Sequence, residues 1–102
     1  MSTNKEFLTF VLDQLSGLED IKCKSMMGEY LIYYKGLLLS YICDNCLLIK
    51  VTKASSTLLK DATLQYPYPG ASKKMFLYEE LEDKAFLCSI FKAMYSELVP
   101  KA

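Results

Sequence analysis

A chain of 102 residues with 52% hydrophobic and 13% aromatic side chains has the material for one buried core and is far too apolar for a disordered segment. Its twelve basic residues are all Lys and balance twelve Asp and Glu, so the net charge is zero. That Arg-free neutrality weighs against direct nucleic-acid binding. The absence of His removes the usual general base, the Ser-His and Cys-His nucleophile pairs and the commonest metal ligand.

Along the chain, Thr3 followed by Glu6 predicts a capping box. Phe7, Phe10, Val11, Leu15 and Leu18 then recur at helical spacing, with Gln14 the one polar break. Gly17 suits a left-handed terminator, so the first element is an amphipathic helix over residues 4–16. From Ile21 to Val51 the pattern becomes strand-like. Lys35-Gly36 and Asp44-Asn45 read as two-residue hairpin turns, separating strands at 29–34, 37–43 and 46–51. A shorter strand at 21–26 precedes Gly28. The prediction is an antiparallel meander of three or four strands.

Carrying the period-two alternation across both turns assigns two faces. One holds Tyr30, Ile32, Tyr34, Leu37, Leu39, Tyr41, Cys43, Cys46 and Leu48. The other holds Leu31, Tyr33, Leu38, Ile42, Leu47, Ile49 and Val51, interrupted by Glu29 and Ser40. A sheet with one wet face alternates apolar with polar; here both faces want cover. Residues 52–60 read as a short helix capped by Thr52, and 63–66 as a strand. Tyr66-Pro67-Tyr68-Pro69-Gly70 is a rigid turn. Residues 75–78 form another strand. A last helix over 82–98 carries Leu87, Phe91, Met94 and Leu98 at core spacing, with Glu82 and Asp83 favouring its start and Pro100 closing it.

Candidate chemistry is sparse. Glu79-Glu80 and Glu82-Asp83 sit beside a helix start, where they complement the dipole, and no glycine-rich phosphate loop occurs. Catalysis is not expected. Cys43-Asp44-Asn45-Cys46 has C-x-x-C spacing. Redox versions of that motif open a helix, whereas this one spans a hairpin turn. Zinc needs two further ligands, and only Cys23 and Cys88 remain. Cys43 and Cys46 are therefore the sole metal candidates, with a structural role as small hydrophobes preferred; no cofactor is expected. Tyr30, Tyr33, Tyr34 and Tyr41, with Lys50 among apolar neighbours, are the candidate face for interaction or ligand. They read either as sheet core with a partner interface or as a stacking platform for a small ligand. No run of about 18 apolar residues and no signal-peptide pattern in residues 1–10 are present. Four Cys without an export signal are expected to be reduced thiols in a cytoplasmic protein.

Met26-Met27-Gly28-Glu29-Tyr30, Lys35-Gly36, Asp44-Asn45 and Leu47-Leu48-Ile49-Lys50-Val51 together resemble the N-terminal domain family of the TfoX/Sxy competence regulators. In that family a Met-Phe-Gly-Gly-Tyr-Gly segment, an Asp-Gly turn and a Leu-Tyr-Leu-Lys-Val strand follow one another at the same spacing. Tyr66-Pro67-Tyr68 is similar to the family's later Phe-x-Tyr segment, and Lys24-Ser25 stands where members usually carry Arg. The resemblance implies a two-layer α+β domain and a role in regulating natural-competence genes alongside other transcription factors. The expectations are these: a single domain over 1–102, standing alone, in the order α-β-β-β-β-α-β-β-α, with helices on one face of an antiparallel sheet. It is expected to be non-catalytic and to work through protein contacts as a homodimer, with small-ligand binding on the Tyr-rich face as the alternative. Gly28, Gly36, Asp44 and Asn45 are assigned to structural turns.

Overall fold

A computed structural model describes residues 3–99. Its first helix, α1, spans Lys5–Gln14. The cap is Asn4, not Thr3: the Phe7 N–H donates to Asn4 Oδ1 at 2.8 Å. Thr3 is drawn away because two hairpin turns lie beside it, as described below. The helix stops two residues earlier than the spacing predicts, continuing as a tight turn in which the Ser16 N–H donates to the Asp13 carbonyl and the Leu18 N–H to that of Leu15. Gly17 is not left-handed. A Cβ there would stand 3.8 Å from Cys88 Sγ, so this glycine lies where the end of α1 meets the last helix.

Four strands follow as a meander, β1 Ile21–Met26, β2 Glu29–Tyr34, β3 Leu37–Cys43 and β4 Cys46–Ile49. Each link is a two-residue turn with both residues at positive φ: Met27-Gly28 (52° and 86°), Lys35-Gly36 (50° and 85°) and Asp44-Asn45 (51° and 58°). That geometry matches the twist of the flanking strands. The helix α2, Lys53–Leu58, starts in a reciprocal capping box between Thr52 and Ser55. The strands β5 Leu64–Gln65 and β6 Met75–Tyr78 then join the far edge, giving one antiparallel six-stranded sheet in the order β1-β2-β3-β4-β6-β5. The last helix, α3, spans Lys84–Leu98, with Asp83 capping it through the Phe86 N–H at 3.0 Å. Pro100, expected to close it, lies outside the described residues.

The predicted faces need one correction. Tyr33 pairs with Leu38, but Ile32 pairs with Ser40, so β3 carries an extra residue at Leu39. A bulge of one residue shifts the alternation of everything beyond it. Ile42, Leu47 and Ile49 therefore join Ile32, Tyr34 and Leu39 against the helices, while Tyr41, Cys43 and Leu48 move to the opposite face. The helix-side core is completed by Val11 and Leu15 of α1, by Phe76 and Tyr78 of β6, and by Leu87, Ile90, Phe91 and Met94 of α3. Leu87, Ile90, Phe91 and Met94 are fully buried. At about 25 cal/mol per Å² removed from water, this layer is the main stabilising term.

Candidate functional site

The second sheet face is where the fold leaves material over. By register it carries Leu31 and Tyr33 of β2, Leu38, Tyr41 and Cys43 of β3, Leu48 of β4 and Leu77 of β6. No helix covers it. The segment between β5 and β6 does so in part, because Pro67 and Pro69 each fix φ and Gly70 turns the chain at φ 88°. Pro67 is buried, and Cys43, Leu48 and Met75 form a small second core with Tyr41 and Leu77 packed around it. Tyr66 and Tyr68 remain 53% and 46% exposed on this cover.

A cleft opens on each side of Pro67 and Tyr68. One, of about 450 Å³, is lined by Glu29, Cys43, Asp44 and Gln65. The other, of about 250 Å³, has Leu38, Tyr41 and Met75 against Pro67 and Tyr68, with Lys50, Lys73 and Lys74 around it. The face is acidic towards the Asp44-Asn45 turn, with Glu29 and Asp44, and basic towards the start of β6, with Lys50, Lys73 and Lys74. Burial, then the neighbouring Tyr68, Cys43 and Tyr33, push the Tyr41 hydroxyl above the usual tyrosine range.

The predicted tyrosines do not form one platform. Tyr34 is buried on the helix side, its ring 5.3 Å from that of Tyr95 in an edge arrangement and 6.4 Å from Phe91. Lys35 Nζ lies 5.4 Å from the Tyr34 ring and 5.1 Å from that of Tyr95. Tyr30 is half-buried against the same core. Tyr33 and Tyr41 alone share the open face, and Lys50 stands beside Tyr41 at the basic cleft. The residues missing from the prediction are Pro67, Tyr68, Lys73 and Lys74. The surplus apolar face and the Tyr-Pro-Tyr-Pro-Gly run were their signal, since a stiff turn returning over a bare sheet is the cheapest available cover.

Cys43 and Cys46 face each other directly across the last turn of the meander. Burial pushes the Cys43 thiol up to about 11, with Glu29, Cys46 and Asp44 adding to the shift. Burial, Asp44 and Glu79 raise that of Cys46. Both are poor thiolates, the opposite of what a redox or metal site asks for. Among the described residues no three His, Cys, Asp or Glu side chains converge for a metal ion.

Gly28, Gly36, Asp44 and Asn45 occupy the turns, and the last two also join a polar knot that the sequence did not announce. Glu29 Oε1 accepts from the Thr3 N–H at 3.1 Å. Its Oε2 accepts from Thr3 Oγ1 at 3.2 Å and from the Asp44 N–H. The Asn45 N–H donates to Thr3 Oγ1 at 3.3 Å, and the Asn4 N–H to Asn45 Oδ1 at 2.9 Å. One carboxylate thus ties the start of α1 to two hairpins, which is why Thr3 does not cap the helix. Elsewhere, a shallow surface hollow of about 650 Å³ gathers Glu79, Glu80, Glu82 and Asp83 beside Phe10. Among the described residues, no helix is long and apolar enough to cross a membrane.

A family model described as the TfoX N-terminal domain matches residues 13–92. The chain is also similar to a protein of Spirochaeta aurantia named "Uncharacterized 12.7 kDa protein in trpE 5'region". The two are 29% identical over 85 residues, covering 83% of this chain and 73% of the relative.

Proposed function

The chain belongs to the TfoX N-terminal domain family, and from that premise we propose that it is a non-catalytic regulatory domain of the cytoplasm that works through a protein contact on its open sheet face. The regulatory part of this reading is carried by family membership. The contact part is carried by one observation: the face opposite the helices holds Tyr33, Leu38 and Tyr41, each only half-buried, with the 66–74 segment reaching Leu38 and Tyr41 at the basic cleft. Half-buried Tyr33 and Tyr41, with exposed Tyr66 and Tyr68 beside them, combine apolar area with a polar tip, the mixture enriched at protein interfaces. A second copy of the chain and a different protein are both compatible with the strip.

Small-ligand binding at Tyr41 and Lys50 is the weaker reading, since the cleft bearing them holds about 250 Å³ against roughly 300–1,000 Å³ for small-molecule pockets, and the neighbouring cleft of about 450 Å³ carries neither residue. The test uses the double variant Tyr33→Glu/Tyr68→Glu, whose fold is checked by circular dichroism. Sedimentation and quantitative co-precipitation from the native cell should show wild-type self-association or a specific partner that the variant loses. A folded variant that keeps every association of the wild type contradicts the assignment of the face.

A further inference from the structure

We infer that the lysine-rimmed cleft docks an acidic segment of a partner protein, seating one aromatic or large apolar side chain between Tyr41 and Tyr68. This rests on the protein-contact reading of the open face and names the chemistry of what it contacts. The floor of the cleft, Leu38, Tyr41 and Met75, and its wall, Pro67 and Tyr68, are apolar or aromatic, while Lys50, Lys73 and Lys74 stand around them with no Asp or Glu in the lining. In a chain of zero net charge that local excess is a choice of place, not a by-product of composition.

None of the three lysines has a carboxylate partner among the described residues. Among the described residues the one ion pair is Lys22 with Asp20, at 4.0 Å. Lys74 Nζ instead lies 5.5 Å from the Tyr66 ring, which holds a cation without cancelling its charge. The volume suits a side chain better than a free metabolite, as argued above. The rest of the face extends the same chemistry. Crossing the strands from Tyr41, the register passes Leu31 and reaches Lys24 of β1, with Tyr33 and Lys22 paired alongside. Two strand spacings, about 10 Å, separate the anchor cleft from Lys24, the cation at this end without a carboxylate partner among the described residues, since Lys22 is the lysine paired with Asp20. A segment with acidic residues on both sides of an apolar anchor meets cations at each end and apolar surface between.

The test titrates the purified chain into a fluorescein-labelled peptide carrying Glu and Asp on both sides of a single Phe, read by fluorescence anisotropy, with sedimentation velocity run in parallel. The expected result is saturable binding to a monomer, weakened by added salt and by Phe→Ser in the peptide. Binding should fall about tenfold in Lys50→Glu/Lys73→Glu/Lys74→Glu and hold in Lys92→Glu, a reversal of an exposed lysine on α3. Absent binding, or binding indifferent to the triple reversal, overturns the inference. A dimer that the triple reversal dissociates makes the occupant a second copy, overturning the inference while leaving the contact face standing. No peptide binding together with no loss of association in Tyr33→Glu/Tyr68→Glu overturns both.

Discussion

Ser40 has no exposed surface, and its hydroxyl has no hydrogen-bond partner among the described residues. It stands at the bulge of β3, where the local geometry turns it towards the helices. A buried hydroxyl without a partner costs free energy that a methyl does not. Ser40→Ala should therefore leave stability unchanged or raise it by up to about 1 kcal/mol in urea denaturation; a loss larger than that would mean the hydroxyl is bonded. The thiols make a second test at this scale. A Cys43 value near 11 against the ordinary 9.0 means about a hundredfold less thiolate at any pH below 9. The fold favours the neutral thiol, so its contribution is complete below pH 9 and fades as pH rises towards 11. Iodoacetamide at pH 8 should modify the exposed Cys23 first and Cys43 last; early labelling of Cys43 would contradict its placement in the second core. Ser40 was legible only as a polar interruption, because nothing in a Leu-Leu-Leu-Ser-Tyr run says where the extra residue of a bulge falls.

The three tight turns are the elements where sequence and structure agree most closely, and also where the sequence is least optimised. Lys35-Gly36 and Asp44-Asn45 were legible because Gly and Asn tolerate positive φ. The turn at Met27-Gly28 was legible through Gly28 alone, since Met sends no such signal, yet Met27 holds φ 52° while 98% exposed. Its side chain has almost nothing to lose. Met27→Asn is expected to stabilise by about 0.5–1 kcal/mol, read as a higher urea midpoint at unchanged slope. Destabilisation would mean that Met27 packs against something in solution. The pairing of α2 with α3 has a different handle. The Glu97 carboxylate accepts from the Lys53 N–H at 3.2 Å and the Ala54 N–H at 2.6 Å, satisfying donors that a short helix leaves open. The Ala54 bond holds the Glu97 carboxyl below the usual carboxylate range, with the Lys53 bond, Thr52 and the Lys53 charge adding to it. A lowered value means the cap is intact above the ordinary Glu pKa and is lost as pH falls through the folded one. Amide exchange at Lys53 and Ala54, corrected for intrinsic rates, should accelerate on that descent, and Glu97→Gln should abolish the pH dependence; exchange independent of Glu97 would refute the cap.

At the scale of the molecule, the meander, both outer helices and the order of elements were legible because each rests on local periodicity and turn chemistry. The two apolar faces were legible as a surplus, and on the second face Tyr33, Leu38 and Tyr41 stay only half-buried. Which residues share a face was not, because one bulged residue inverts the alternation from Ser40 onwards. Nor was the intrachain cover over part of the second face, because it depends on where Pro67 and Tyr68 land, a long-range outcome. The cover leaves Tyr33 half-buried next to a basic cleft lined by Leu38 and Tyr41, and the account stands or falls on that strip being a protein contact. Photocrosslinking tests it most directly: a benzophenone side chain installed at Tyr33, at Tyr68 and, for comparison, at Lys92, irradiated in the native cell. The account predicts a discrete protein adduct from positions 33 and 68 and none from 92. Equal yields at all three positions, or no adduct from the sheet face, would contradict it.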